Sequence, residues 1–185
     1  MIQVRNGVFE TNSSSTHSIC IPKKTNKTDT YVEFGIGGYG WENRRVDDTP
    51  SYLYTAILCA YDYDVAMDKI EKLKSILNNH SIGYSFEKPK WYEWESGGKS
   101  LDNGYIDHAY ATYEFVEAVL NDEDMLLRYL FDGTVFTGND NQDCIPDGCG
   151  ICRSHYWVYD DDWNGKEVTN PYHDPENFDY FYKGN

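Results

Sequence analysis

A short polar segment near the start of the chain holds side chains that could do chemistry. Residues 8–18 read Val-Phe-Glu-Thr-Asn-Ser-Ser-Ser-Thr-His-Ser, so a carboxylate, several hydroxyls and an imidazole lie close together in sequence. Serine beside histidine is a pairing that enzymes use to activate a nucleophile. Glu10, Ser14 and His17 are therefore candidate catalytic residues. The alternative is that these short side chains satisfy backbone groups in a tight turn.

Two later segments could complete such a site. Asp107-His108 and Asp140 offer carboxylates and an imidazole that could bind a metal ion or orient His17. An enzyme built on these residues would be a metal-assisted hydrolase or transferase that acts on a small molecule. The acidity of the chain disfavours a polyanionic substrate, which argues against a nuclease.

The same segments carry a resemblance. Residues 8–18, together with Tyr105-Ile106-Asp107-His108 and Thr137-Gly138-Asn139-Asp140-Asn141, resemble uncharacterised phage and bacterial proteins that open with a Val-Phe-Glu-Thr-Asn-Ser-Ser-Ser-Thr-His-Ser type of segment. The resemblance spans residues 4 to 141. It implies a phage or mobile-element origin, and therefore the cytoplasm of an infected or carrier bacterial host. It implies no activity and assigns no catalytic residue.

A second cluster has the ligand types of a zinc site. It consists of Cys144, Cys149, Cys152 and His155. Thiolate and imidazole are good Zn²⁺ ligands, and a Cys-x2-Cys turn lets two sulfurs bind one ion. Common zinc modules instead pair two such turns across a longer loop, and His155 begins a predicted strand where it could simply face solvent. The cofactor expected from the sequence is therefore either none or Zn²⁺.

Charge is distributed unevenly along the chain. Lys and Arg number 16 against 31 Asp and Glu, which gives a net charge of −15. Residues 101–185 hold 4 basic and 18 acidic side chains, so this half carries −14, whereas residues 1–100 are near neutral. A field of this sign repels nucleic acid and attracts basic surfaces. The alternative is that the acidity only keeps the protein in solution.

The acidic half is also rich in aromatic side chains, a combination that favours binding to a basic protein surface. Carboxylates would stand in for phosphates, and tyrosine or tryptophan rings would act as anchors. The candidate partner-binding residues are Asp160, Asp161, Asp162, Trp163, Asp174 and Glu176. With the phage resemblance, this pattern predicts an inhibitor of a host nucleic-acid-handling defence enzyme of the restriction or CRISPR nuclease type. The small-molecule enzyme is the alternative.

Length and composition predict one compact α+β domain over residues 1–185. The chain is 40% hydrophobic and 16% aromatic, which is enough to build a core despite the acidity. No segment reaches the roughly 18 apolar residues of a membrane helix. The first seven residues lack the apolar run of a signal peptide, so a cytoplasmic protein with no membrane partner is expected.

Apolar spacing and capping residues predict about four helices and a mostly antiparallel sheet. The first helix begins at Asp48 or Thr49 with Pro50 in its first turn, and it ends near Tyr61. The other helices are predicted over 64–79, over 106–120 and from a cap at Asn121 or Asp122 to Gly133. Strands are predicted over 4–9, 18–22, 30–34, 81–86, 90–94, 134–137 and 155–159. A polar loop is expected over 11–16, a hairpin turn over 160–165, and a packed aromatic tail from residue 171.

Overall fold

The computed structural model of the chain describes residues 15–27, 29–40, 42, 44–139, 154–170 and 173–183. Its helices are α1 (Thr49–Ala60), α2 (Tyr63–Asn79), α3 (Tyr113–Asn121) and α4 (Glu123–Asp132), with a 3-10 turn over Ala109–Thr112. Its strands are β1 (Ser15–Pro22), β2 (Tyr31–Phe34), β3 (Gly38–Tyr39), β4 (Arg44–Val46), β5 (Gly83–Phe86), β6 (Trp91–Glu93), β7 (Lys99–Leu101), β8 (Tyr105–Ile106), β9 (Thr134–Asn139), β10 (His155–Tyr159), β11 (Gly165–Thr169) and β12 (Phe178–Lys183).

The main sheet has four strands in the order β12-β1-β9-β4, and all of its neighbouring pairs are antiparallel. All eight residues of β1 are buried. Because β1 pairs with β12 on one edge and with β9 on the other, the ladder provides partners for the backbone of this buried strand. The loop predicted over 11–16 is wrong at its end, since Ser15 and Thr16 already belong to the strand. The prediction that the tail packs against the domain is confirmed by β12.

The helix α1 lies at the centre of the structure. Ten of its twelve residues are buried, and it contacts all three other helices as well as β2 and β8. A helix that is apolar on all sides is expected to be enclosed in this way. The predicted start is confirmed, because the Asp48 side chain accepts a hydrogen bond of 3.2 Å from the backbone N–H of Ser51 and Pro50 lies in the first turn.

The helix predicted over 106–120 is wrong over residues 106–112, nearly half of its length. Tyr105 and Ile106 form β8, and the backbone N–H of Asp107 still donates to the carbonyl of Tyr39. His108 then takes a left-handed conformation, with φ of 51°, and the regular helix begins only at Tyr113. The apolar spacing suggested a helix that continues through His108. The spacing does not reveal that the backbone changes direction at this residue.

Two short parallel pairs are separate from the main sheet, namely β2 with β5 and β3 with β8. The connection from β2 to β5 contains both α1 and α2, as a crossover between parallel strands requires. Two hairpins, β6–β7 and β10–β11, complete the described sheets. The expected single α+β domain with a mostly antiparallel sheet and four helices is confirmed. In the part of the chain that the structure describes, every helix is too short or too polar to cross a bilayer.

The two consecutive helix starts provide a matched test of capping. We expect Asp48→Ala to lower the free energy of unfolding by about 1 kcal/mol, because its carboxylate caps α1. Asp62 occupies the same position before α2 but makes no side-chain capping bond, so Asp62→Ala should lower stability much less. Urea denaturation of both variants measures the difference. Equal losses at the two positions would contradict the assigned cap.

Candidate functional site

His17 lies in the middle of β1 and is fully buried. Its Nδ1 is 2.7 Å from the hydroxyl oxygen of Tyr52 on α1, and its Nε2 is 3.3 Å from the carbonyl oxygen of Gly40. A carbonyl oxygen only accepts hydrogen bonds, so Nε2 carries the proton and donates to Gly40. In the neutral ring Nδ1 then accepts from the Tyr52 hydroxyl. The imidazole thus joins the main sheet to the central helix.

The Tyr52 hydroxyl is held in its protonated form. Burial raises the pKa of Tyr52 well above its usual value, and the neighbouring Tyr39 raises it further. The rings of Tyr39 and His17 both lie edge-on to the Tyr52 ring, at centroid distances of 4.9 and 5.7 Å. A phenol that stays protonated is a permanent donor to His17. This arrangement favours a structural role for His17, in which both ring nitrogens hold internal partners.

Asp107 and His108 follow β8 at the surface, where about a third of the Asp107 side chain and 41% of the His108 side chain are exposed. Their closest side-chain approach is 3.8 Å between Asp107 Oδ1 and His108 Nε2. The backbone at residue 107 lies near β1, since Ser15 Oγ donates to the Asp107 carbonyl at 3.4 Å. The structure therefore brings the main chain of residue 107 to β1, while the hydrogen bonds of the His17 ring go to Tyr52 and Gly40.

The remaining candidate catalytic residues, Glu10, Ser14 and Asp140, lie outside the described residues. So do Cys144, Cys149 and Cys152 of the proposed zinc cluster. His155, its fourth member, is exposed at the start of β10, with Nδ1 3.0 Å from Ser154 Oγ. Within the described ranges, no group of three or more histidine, cysteine, aspartate or glutamate side chains is arranged to hold a metal ion. The zinc site and the catalytic set both stay predictions.

The predicted hairpin turn over 160–165 is confirmed between β10 and β11. Asp160 shapes this turn, because its Oδ1 accepts from the backbone N–H groups of Asn164 at 2.9 Å and Asp162 at 3.0 Å. The backbone and side-chain donors of Asn164, with the N–H of Asp162, lower the pKa of Asp160. Asp161 and Asp162 differ from it, since their exposed carboxylates accept no hydrogen bond and form no ion pair among the described residues.

Trp163 is at the end of this turn and is 83% exposed, more than any other large hydrophobic side chain that the structure describes. Its backbone is left-handed, with φ of 61°, and its N–H donates to the Asp160 carbonyl at 3.0 Å. Glycine is the usual residue for a left-handed position that follows a type I turn in a hairpin. The chain therefore places its most exposed large ring where the backbone favours a residue without a side chain.

Asp174 and Glu176, the other candidate partner-binding residues, lie in a second turn before β12. Asp174 Oδ2 accepts from the side-chain nitrogen of Asn177 at 2.9 Å, and this bond, aided by backbone N–H groups, lowers the Asp174 pKa. Lys23 Nζ donates to the Pro175 carbonyl at 2.7 Å, which ties the turn to the end of β1. Glu176 is exposed. As at the hairpin, one acidic side chain builds the turn and a neighbouring one faces solvent.

Sequence reasoning missed an open groove between the end of α1, β7, β8 and the start of α3. Its volume is about 790 Å³, and the rings of Tyr61, Tyr105 and Tyr113 line it. Glu117 on its rim is bonded to Lys69 and accepts from the Tyr61 hydroxyl at 2.8 Å. The Lys69 ammonium is the main cause that lowers the Glu117 pKa. The i,i+4 spacing of Tyr113 and Glu117 on α3 was the one sequence signal for this site.

The segment over 35–40 is rich in glycine, as phosphate-binding loops are, but three of its backbone N–H groups already donate to side chains of the protein. Its backbone N–H groups at Gly35, Ile36 and Gly37 donate to Ser51 Oγ at 2.7 Å, Glu87 Oε2 at 2.8 Å and Thr55 Oγ1 at 3.1 Å. A phosphate-binding loop needs such groups directed at the ligand. Here they position the segment against α1.

Comparison with known proteins identifies no relative: no family model, no curated protein and no solved structure matches the chain. The functional argument therefore depends on the geometry of the chain itself.

Removal of the Tyr52 hydroxyl tests the structural role of His17. In Tyr52→Phe the buried Nδ1 loses its donor, so we expect the free energy of unfolding to fall by about 1–3 kcal/mol. Tyr54→Phe on the same helix is the control, since the Tyr54 hydroxyl donates at 3.0 Å to the backbone carbonyl of the exposed Glu87 in a bond that is only partly buried. A smaller loss is expected there. A Tyr52→Phe protein as stable as the wild type would contradict the assignment.

Alkylation of the cysteine thiols in the folded protein tests the predicted zinc cluster. Cys20 is buried, and burial raises the Cys59 pKa to about 11, so neither thiol should react at neutral pH. If Cys144, Cys149 and Cys152 bind zinc, we expect about one metal equivalent and no alkylated cysteine until a chelator is added. Mass spectrometry that finds three alkylated cysteines in the native protein, with no metal, would remove the zinc site.

Proposed function

We propose that this protein binds a basic surface of a host protein through the tip of the β10–β11 hairpin. In the setting implied by the phage resemblance, the partner is a nucleic-acid-handling defence enzyme of the restriction or CRISPR nuclease type, which the protein inhibits by occupying its nucleic-acid-binding surface. The observation that carries the proposal is the tip itself, where an 83% exposed tryptophan lies beside two exposed carboxylates.

The chemistry of the tip suits a basic partner. Asp161 and Asp162 present two negative charges that no cation neutralises within the described part of the chain. Carboxylates of this kind attract lysine and arginine over about a Debye length, roughly 8 Å at physiological ionic strength. Such attraction raises the association rate more than it slows dissociation.

Trp163 supplies the apolar part of the contact. Tryptophan is enriched among the residues that dominate binding energy, because its large ring is desolvated in the complex. Its left-handed backbone costs of order 1–2 kcal/mol per residue in a non-glycine residue. A bulky ring at a position that favours glycine supports a role in binding, since the largely exposed side chain adds little to the core.

The charge of the tip can be tested without a change in its shape. We expect the double variant Asp161→Asn/Asp162→Asn to slow association with the partner about tenfold, and to leave dissociation nearly unchanged. The turn should persist because Asp160 is kept. The partner is first captured from bacterial lysate, and the kinetics are measured by surface plasmon resonance at low and physiological salt.

The control variant is Asp64→Asn/Asp68→Asn, which removes the same charge from two exposed positions on α2. It should slow association much less. Equal effects of the two double variants would show that only net charge matters, and an association rate indifferent to salt would contradict the proposal.

A substitution at Trp163 can remove the indole ring and also relieve the unfavourable left-handed backbone conformation. We expect Trp163→Gly to keep or raise the melting temperature, because glycine suits the left-handed position, and to speed dissociation from the partner by tenfold or more. Ser81→Gly is the matched control, since Ser81 is also exposed and left-handed, with φ of 58°. Ser81→Gly should likewise keep or raise the melting temperature, and it should leave dissociation from the partner unchanged. Unchanged dissociation of Trp163→Gly would exclude the ring as an anchor.

Competition between DNA and this protein for the partner distinguishes inhibition from binding that does not inhibit. A protein that occupies a nucleic-acid-binding surface should be excluded when the partner is first loaded with DNA, and the protein alone should not bind DNA or RNA. Electrophoretic mobility shift and cleavage assays measure both. Simultaneous binding of DNA and this protein to the partner would contradict the inhibitory mechanism.

A further inference from the structure

The strand β11 has one ladder partner among the residues that the structure describes. It pairs with β10 in a sheet of two strands, so its other edge is open within this part of the chain. An open edge exposes backbone N–H and C=O groups that can pair with a further strand. A two-stranded hairpin alone is only marginally stable in water, so a third strand would stabilise it.

The hydrogen bonds at the two ends of the β10–β11 ladder fix which residue pairs are bonded. The N–H of Asn170 donates to the Ser154 carbonyl at 2.8 Å, and the N–H of Asp160 donates to the Asn164 carbonyl at 3.3 Å. Bonded and non-bonded pairs alternate along an antiparallel ladder. The two end pairs are an even number of residues apart, so every second pair between them is bonded as well.

Alternate residues of β11 therefore direct their backbone groups outward. Lys166 and Val168 bond to β10, whereas Gly165, Glu167 and Thr169 direct their N–H and C=O groups to the outer edge. All three of the outward residues are exposed. Each offers one donor and one acceptor, at the spacing of the backbone of an extended chain.

The charges of this hairpin argue against a second copy of the chain as the third strand. Antiparallel pairing of two β11 strands with full overlap places Glu167 directly opposite the Glu167 of the second copy, and like charges in this position are destabilising. Each copy also has a net charge of −15, so two copies repel each other. Across the ladder Glu167 is opposite Trp157, so β10 supplies no positive charge at this position. A strand with a lysine or arginine opposite Glu167 would supply one.

We infer that the outer edge of β11 binds an extended segment of the partner protein as a third, antiparallel strand, with a lysine or arginine opposite Glu167. The inference rests on the proposed function, because β11 continues directly from the hairpin tip that docks on the basic partner. Main-chain hydrogen bonds supply affinity in this mode of binding, and the side chains of the added strand supply specificity. The charged Lys166 and Glu167 disfavour indiscriminate pairing at this edge, as charges on edge strands generally do.

Amide hydrogen exchange in the free full-length chain tests the open edge first. In an isotope-labelled sample followed by NMR, the amides of Lys166 and Val168 should exchange more slowly than those of Glu167 and Thr169, because only the first two are bonded to β10. Equally slow exchange at all four positions would show that another part of the chain already covers the edge, and would overturn the inference.

The peptide acetyl-Thr-Val-Lys-Val-Thr-amide is the probe for the added strand. It is titrated to millimolar concentration into the labelled chain at physiological salt. We expect saturable downfield shifts of the Glu167 and Thr169 amide protons, as hydrogen bonds form there, and smaller shifts at Lys166 and Val168. The analogue with glutamate in place of lysine should bind about threefold more weakly, because like charges then lie opposite each other. The absence of any saturable shift would overturn the inference.

A proline variant removes one outward N–H group and leaves the ladder to β10 intact. Thr169→Pro should weaken peptide binding about fivefold, since proline has no N–H and is tolerated where an edge N–H faces solvent. Thr169→Ala keeps the N–H and is the matched control, with an expected change of less than about twofold. The amide signals of Lys166 and Val168 report whether the hairpin persists in both variants. Equal affinities of the two variants would contradict pairing through the backbone.

Charge variants test the residue opposite the lysine. Glu167→Gln should abolish the preference for the lysine peptide over the glutamate peptide. Glu114→Gln removes the same charge from an exposed position on α3 and should keep the preference. Equal effects of the two variants would show that only net charge acts on the peptide, and would overturn the assigned pairing.

Two variants separate this inference from the proposed function. Asp161→Asn/Asp162→Asn should slow association with the whole partner and leave peptide binding unchanged, whereas Thr169→Pro should speed dissociation of the partner. Partner binding that depends on the tip and is indifferent to Thr169→Pro would overturn the third strand and leave the proposed function in place. Peptide binding at β11, together with partner binding indifferent to the tip variant, would contradict docking through the tip and leave the open edge in place.

Discussion

The structure depends on the burial of a polar strand. β1 places Ser15, Thr16, His17 and Ser18 in the middle of the protein with almost no exposure to water. Buried polar groups are costly unless they are hydrogen-bonded, so the neighbours of this strand are constrained by its side chains. His17 bonds to Tyr52 on α1 and to Gly40, and Ser15 bonds to the backbone of Asp107. These contacts fix the central helix, the glycine-rich segment and the end of β8 relative to one sheet.

The same contacts give a structural use to the part of the amino-terminal segment that the structure describes, Ser15 to Ser18. Hydroxyls and an imidazole are the groups that activate a nucleophile, and they are also the groups that can satisfy one another inside a core. His17 is joined to a tyrosine that burial keeps protonated and to a backbone carbonyl. With these partners it positions the sheet on the helix.

Local signals predicted the elements that local interactions form. The start of α1 followed from Asp48 and Pro50, and α4 followed from a cap at Asn121 or Asp122 and the stop at Gly133. The hairpin turn over 160–165 followed from the strands expected on either side of it. Contacts between distant residues were not predictable in this way. The two-residue strands β3 and β8 exist because Gly38 and Tyr39 meet Tyr105 and Ile106, and that pairing leaves no periodic pattern in either segment. The groove lined by tyrosine rings was missed for the same reason.

Net charge is also a coarse guide to the proposed docking surface. Asp160 and Asp174 belong to acidic clusters, but each carboxylate accepts the hydrogen bonds that build its own turn, which lowers its pKa. The charge that can act on a partner at the hairpin is therefore that of the neighbouring Asp161 and Asp162. A basic partner would meet the local charge of the hairpin tip and not a uniform acidic face.

Photo-crosslinking inside bacterial cells tests the docking surface most directly. A benzoylphenylalanine residue placed at position 163 reacts only with groups within a few ångströms, and the same residue placed at position 92 serves as the control. We expect position 163 to capture a lysine- and arginine-rich segment of a nucleic-acid-binding enzyme, and position 92 to capture none. Equal capture at both positions, or capture at 163 of acidic or apolar segments alone, would contradict docking through the hairpin tip.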